Sequence, residues 1–163
     1  MKLSRSLLAA CACALFLPAC GGDSGASGPV SAHQGVFMKK ATPILFVDDV
    51  QASVDFFADR LGFEKTIAVP YERGLQFAAV EKDGVEIMFQ AGDVEDPTFT
   101  KDELAARIGQ GFIYFEVGDF DRIAEAVKGA EIVKPAHVTD YGSQEIYIRE
   151  PGGNVLGFAR HKE

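Results

Sequence analysis

The chain's strongest constraint is a repeat. Val47-Asp48-Asp49-Val50 is answered about 70 residues later by Val117-Gly118-Asp119-Phe120. Gly84-Val85-Glu86-Ile87-Met88-Phe89 is answered at almost the same spacing by Gly153-Asn154-Val155-Leu156-Gly157-Phe158. Between these anchors each copy runs through the same signals. TPILFV (42–47) reads as a short apolar strand, and Asp48 or Asp49 can cap a helix by accepting its free N–H groups. The helix is VQASVDFFADRL, with Val50, Val54, Phe57 and Leu61 on one stripe, and Gly62 ends it in a left-handed turn. Three strands follow, EKTIAVPY, LQFAAVEK and VEIMFQ, the last two joined by the hairpin signal Asp83-Gly84. In the second copy GFIYFEV is the strand. Asp119 caps a helix striped by Phe120, Ile123, Ala124 and Val127, and Gly129 closes it. EIVKPAHV, SQEIYIRE and NVLGFAR complete the set.

These patterns predict an α+β domain over 42–160, built from two βαβββ units at 42–91 and 111–160 with a linker at 92–110. Neither unit alone buries enough apolar surface to stand, so the two must pack together. Within the linker, Thr100 and Glu103 form a capping-box pattern for a short helix at 101–108.

The first forty residues belong to another kind of segment. Lys2 and Arg5 precede a run of about 13 apolar residues, Leu7 to Ala19. Crossing a bilayer takes about 20, so the run suits a secretory signal peptide, residues 1–19. The ending LPAC resembles a bacterial lipoprotein signal, with Cys20 as the lipidated first residue of the mature chain. Residues 20–41 then read as the lipidated cysteine and a Gly/Ser-rich tether. The expected location is the cell envelope, anchored to a membrane by lipid. The alternative is a cytoplasmic protein starting at Met38.

All three cysteines lie at or before position 20, so the folded part has neither a disulfide nor a thiol nucleophile. The acidic balance, 24 Asp and Glu against 16 Lys and Arg, excludes nucleic acid as an expected partner.

Asp-Asp-Val-Gln-Ala-Ser-Val-Asp-Phe-Phe, Leu61-Gly62-Phe63-Glu64, Asp83-Gly84-Val85-Glu86 and the closing Glu150-Pro151-Gly152-Gly153-Asn154-Val155-Leu156-Gly157-Phe158 together resemble the vicinal oxygen chelate superfamily. It includes glyoxalase I, bleomycin resistance proteins and extradiol dioxygenases. The resemblance covers about 42–160 and implies a curved mixed sheet around a central cup, with helices on the outer face. In most relatives an Asp precedes the Pro, where this chain has Glu150. Metal-using members draw ligands from the first and last strands of each unit. By register those positions are Thr42, Met88, Phe112 and Gly157. The enzymes carry His or Glu at most of them, and a divalent catalytic site takes about three N or O ligands. The expectation is therefore no metal and no cofactor. No Cys, G-x-S-x-G elbow or Ser–His pair offers a covalent route instead.

Strand alternation sorts the remaining side chains. Phe46, Glu86, Met88, Phe112, Tyr114 and Glu116 take the cup side. Tyr147 can join them from the penultimate strand, while Arg149 pairs with a surface acid. Leu45, Val47, Ile87, Phe89, Ile113, Phe115, Leu156 and Phe158 take the core side. His137 is expected at a rim or exposed face. Apolar walls with a few polar groups describe a small-molecule site, and rings with carboxylates favour a cation. The favoured expectation is a domain that binds or sequesters a small, cationic aromatic molecule without a metal, as bleomycin resistance proteins do. Two alternatives stand: a lyase, isomerase or dioxygenase using atypical ligands, and a structural or interaction domain with a filled cup. Relatives commonly form homodimers, and an intrachain cleft is equally available here.

Overall fold

In the computed structural model, residues 39–162 are described. The expected signal peptide, Cys20 and most of the expected tether lie outside them. Two successive βαβββ units appear as expected. The first comprises β1 (Ile44–Val47), α1 (Val50–Leu61), β2 (Glu64–Tyr71), β3 (Gly74–Lys82) and β4 (Val85–Ala91). A short α2 (Lys101–Ala105) follows, and then β5 (Phe112–Glu116), α3 (Phe120–Ala126), β6 (Glu131–Val138), β7 (Gln144–Arg149) and β8 (Val155–Arg160). Each unit carries its own four-stranded mixed sheet, in the orders β1-β4-β3-β2 and β5-β8-β7-β6. The first and last strands of each unit pair in parallel, and the other pairs are antiparallel.

Local chemistry explains the boundaries. Of the two adjacent aspartates, Asp49 caps α1, its carboxylate accepting from the Ala52 N–H at 3.1 Å. Gly62 ends α1 at φ 73°, and its N–H reaches the carbonyls of the last turn. Thr100 and Glu103 complete a reciprocal capping box at α2. That helix stops at Ala105, short of the expected 108, and the chain continues in turns.

One face of each sheet is buried under the helices. Leu45, Val47, Ile87 and Phe89 from the first sheet join Ile146, Ile148, Leu156 and Phe158 from the second in a single core with Val50, Val54 and Phe57 of α1. Phe57 is fully buried and meets Phe63 and Phe89 edge-on, each at 5.2 Å between centroids. Truncating such a ring costs about 3–5 kcal/mol.

A buried polar clasp joins the units. Glu150, at the turn between β7 and β8, accepts four hydrogen bonds. They come from Ser53 Oγ on α1 (2.8 Å), Gly152 N (2.8 Å), Asn154 N (3.0 Å) and Asn154 Nδ2 (2.7 Å). Both carboxylate oxygens are thereby filled, so the buried charge is satisfied by donors. Asn154 in turn accepts from Gly111 N at 2.7 Å, tying the turn to the start of β5.

Candidate functional site

The face of each sheet turned away from the helices holds the expected site residues, and the two sheets treat them differently. In the first, Glu86 accepts a hydrogen bond from Thr42 Oγ1 at 3.1 Å and pairs with Lys40 Nζ at 3.1 Å. The Lys40 contact chiefly holds its carboxyl below the usual glutamate range; burial opposes it, and Thr42 contributes less than either. This acid therefore already has its cation. Met88 lies opposite Ile44 in the parallel ladder, and Phe46 meets Phe99 of the linker edge-on at 6.3 Å. Tyr71, the last residue of β2, and Arg73, in the turn that follows, both bind Asp93.

The second sheet holds a cluster with no counterpart in the first. Glu145 of β7 is 3% exposed and receives three phenol hydroxyls. Tyr114 and Tyr141 donate to Oε1 at 3.0 and 2.8 Å, and Tyr147 donates to Oε2 at 2.6 Å. These bonds, led by Tyr147, hold the carboxyl below its usual range even though burial opposes them. The reciprocal effect raises the phenols. Tyr147 is pushed up to about 12, first by the bond to Glu145 and then by burial. For Tyr114 burial is the larger cause, and for Tyr141 it is the Glu145 bond.

The rings of this cluster form a platform. Phe112, 59% exposed, stacks with Tyr147 at 6.1 Å and 20°. His137 of β6 continues the row at 6.2 Å from Tyr147. It lies opposite Glu145 in the β6–β7 ladder, so its ring joins the cluster from the sheet's exposed edge strand. Tyr114 meets His161 at 6.2 Å. An open hollow of about 1100 Å³ adjoins the platform, lined by Glu116, Val138, Gly142, Gln144, Arg160 and His161 among others. Glu116 thus lines this hollow. Arg149 pairs with Glu131 at 3.1 Å, as its surface position suggested.

Glu145, the buried centre of this cluster, is the residue that sequence reasoning passed over. The signal was present: in SQEIYIRE it shares strand parity with Tyr147 and Arg149, and only its burial was hidden.

The four positions matching the family's metal ligands do not fit a divalent ion. Thr42 offers a hydroxyl already given to Glu86. Met88 offers a thioether, Phe112 a hydrocarbon ring and Gly157 nothing. Among the described residues no group of three or more His, Cys, Asp or Glu side chains converges as a metal site would require. Gly157 has its own explanation. It lies between Tyr114 and Tyr147 across the β5-β8-β7 ladder. A Cβ there would come within 2.8 Å of Tyr147 Cε1 and 3.2 Å of Tyr114 Cδ2. The two rings occupy the space that a carboxylate side chain would need.

Comparison with known proteins fits this architecture. The family model described as Glyoxalase/Bleomycin resistance protein/Dioxygenase superfamily matches residues 38–158. Among solved structures, TioX from Micromonospora sp. ML1 is similar at 20% identity and TM-score 0.61, over 74% of this chain and 97% of that one. A glyoxalase/bleomycin resistance protein/dioxygenase from Nocardioides is similar at 20% identity and TM-score 0.60, over 80% and 88%. The lactoylglutathione lyase of Agrobacterium tumefaciens follows at 21% identity and TM-score 0.57, over 76% and 94%. At these identities the likeness is one of fold. A search of curated proteins gave no match.

Proposed function

Since the chain belongs to the glyoxalase/bleomycin resistance protein/dioxygenase superfamily, and its metal positions carry no ligand set, we propose that it binds a small cationic aromatic molecule without a metal and leaves it unchanged. The observation carrying this reading is the second sheet's open face. There an exposed Phe112 stacks on Tyr147 beside the buried carboxylate of Glu145. Aromatic faces attract cations through their quadrupoles, by about 0.5–1 kcal/mol when exposed and about 2 when desolvated. A negative charge beneath them adds to that attraction. All three phenol hydroxyls point at Glu145, so the rings present faces rather than donors to a ligand.

The binding role moves away from Glu86. Lys40 neutralises that acid, and Thr42 occupies the same oxygen. Phe46 and Met88 then serve as apolar wall in the first unit. Tyr114, Tyr147 and Phe112 form the ring platform, and Glu116 stands at its mouth.

Two further elements complete the reading. Lipidation at Cys20 would tether the domain to a membrane of the cell envelope. A homodimer would cover the apolar residues left open on the strands flanking the sheets, such as Ile67 on β2 and Ile132 and Val133 on β6.

Metal analysis together with thermal shift tests the proposal on the full chain. The expected result is no stoichiometric Zn, Fe, Mn or Ni, and stabilisation by cationic aromatic compounds that Phe112→Ala weakens. One tightly held metal per chain would overturn it in favour of a metal-dependent enzyme. A metal-free chain indifferent to every such compound would overturn it in favour of a filled scaffold.

A further inference from the structure

Both ring nitrogens of His137 face acceptors. Nδ1 lies 3.0 Å from the carbonyl oxygen of Pro135. A carbonyl can only accept, so Nδ1 carries the hydrogen, and in the neutral ring Nε2 keeps a lone pair. That lone pair faces Glu145 Oε2 at 3.9 Å. Among the described residues, Nε2 is the one buried side-chain nitrogen or oxygen without a hydrogen-bond partner. The neutral imidazole is thus mismatched to its surroundings. The imidazolium is matched, because both of its nitrogens donate: Nδ1–H to Pro135 and Nε2–H to Glu145. Oε2 has room for that bond. It accepts only from Tyr147, and a carboxylate has about four acceptor sites, two on each oxygen.

The groups around the ring leave this proton to His137. Histidine changes charge between about pH 5 and 8. Glu145 stays ionised through that range, because its carboxyl is held below the ordinary 4.5. The hydroxyls of Tyr114, Tyr141 and Tyr147 stay neutral, because each is raised above the ordinary 10.0. The other charged or titratable neighbours are Lys134 on β6, Asp140 in the turn that follows, and His161 against Tyr114. Lysine and aspartate keep their charge across the range, so His161 is the one competitor. The movement required is small. A charge-assisted bond of about 2.8 Å brings Nε2 about 1 Å closer to Oε2. The edge strand β6 carries irregularities between Ile132 and Lys134 and between Lys134 and His137, where a strand can bend. The His137 side chain is 23% exposed, so a proton reaches it from solvent without needing a cavity.

We propose that His137 is a proton-operated switch on the cation-binding face. While neutral, it leaves the charge of Glu145 under the rings to attract a cation. Once protonated, it takes that charge for itself. The switch rests on the proposed binding of a cationic aromatic molecule and regulates that same site. In the neutral state the one charge beneath Tyr147 is negative. In the protonated state an imidazolium stands 6.2 Å from the Tyr147 ring, pairs with Glu145 and repels a second cation. Ligand and proton therefore compete for one carboxylate, and each weakens the other by the same factor. The face binds at neutral and alkaline pH and releases its ligand in acid.

Calorimetric titration of the full chain with phenyltrimethylammonium, whose own charge is fixed, reads the switch. In the wild-type chain affinity should fall about tenfold between about pH 8 and about pH 5. In His137→Phe, which keeps a ring beside Tyr147 but takes no proton, it should change by less than about twofold. In His161→Phe the fall should persist. Equal wild-type affinity at both pH values, or a fall that survives in His137→Phe, would overturn the switch and leave the cation-binding face standing. Side-chain nitrogen NMR follows the ring without a ligand. Nε2 should be bare at about pH 8 and gain its proton toward about pH 5. The midpoint should drop by about one unit or more in Glu145→Gln, and rise in Tyr147→Phe, which strips Oε2 of its other donor. A proton on Nε2 already at the higher pH, or a midpoint that neither variant moves, would overturn the switch. A chain that binds the probe at neither pH would overturn the cation-binding face and the switch's hold over it. A midpoint that still responds to both variants would then place the failure in the face and not in the His137–Glu145 pair.

Discussion

Replacing Gly157 by alanine adds a single methyl group and should destabilise the domain well beyond what one methyl ordinarily does. Gly157 is not among the residues with positive φ, so alanine meets no backbone penalty there. Alanine even favours folding by about 0.4–1 kcal/mol, because it lowers the entropy of the unfolded chain. The cost lies across the sheet. The new Cβ would stand 2.8 and 3.0 Å from Cε1 and Cδ1 of Tyr147 and 3.2 Å from Cδ2 of Tyr114. Carbon pairs rest at about 3.5–4.0 Å, so Tyr147 must withdraw by about half an ångström or more and Tyr114 by a few tenths. They are not free to do so, because their hydroxyls are fixed to Glu145 at 2.6 and 3.0 Å. Overpacking costs about 1–3 kcal/mol, and partial loss of a charge-assisted bond adds about 1 more. After the entropic gain, a net loss of about 1–3 kcal/mol remains, a fall in Tm of about 4–12 °C for a domain of this size. Thermal and urea unfolding followed by circular dichroism would measure it. In a Tyr147→Ala background the same substitution should cost less than about 0.5 kcal/mol, since its main obstacle is gone. The reasoning is refuted if Gly157→Ala is neutral in the wild-type chain, or if its cost is unchanged without Tyr147.

Two further outcomes follow from buried carboxylates. Glu150→Gln keeps the shape of the clasp but turns one oxygen into a donor facing two other donors, so it should cost about 2–4 kcal/mol. Ser53→Ala should cost less, and a Glu150→Gln chain that unfolds at the wild-type urea midpoint would contradict the accounting. At Glu145 the folded carboxyl is held below its ordinary value of 4.5. Its contribution is complete above 4.5 and fades as pH falls through the lower folded value. Tyr147 behaves oppositely: its contribution is complete below its ordinary value of 10.0 and is lost as pH rises through about 12. Tyr147→Phe should therefore flatten the alkaline limb of the stability profile between those values. An unchanged limb would assign the alkaline loss to other groups.

Much of the fold was legible because it rests on short-range signals. Asp49, Gly62, Thr100 and Glu103 act on their own helices, and the alternation of Leu45, Val47, Ile87 and Phe89 records which face is core. The site was less legible because it depends on contacts between strands. Gly157 read as a missing ligand, and its neighbours Tyr114 and Tyr147 explain it only once the β5-β8-β7 register is known. Glu86 read as a binding acid because nothing in the chain announces that Lys40 folds back onto it. Glu145 escaped notice although it alternates with Tyr147. An acid in a strand suggests a wet face, and only the convergence of phenols from β5, β7 and the 139–142 turn makes burial tolerable.

The hydrogen bond between Ser53 and Glu150 links residues 97 positions apart, and that separation bears on how the protein is made. Ser53 leaves the ribosome well before its partner is synthesised, so α1 must wait with a hydroxyl and an apolar stripe both unsatisfied. Closing so long a loop is slow, and the ordering it imposes is rewarded only at the end. The first half of the chain therefore lacks this partner until the turn between β7 and β8 has been made. A carboxylate near the C-terminus thus acts as a completion signal, locking both halves only when the whole domain is present.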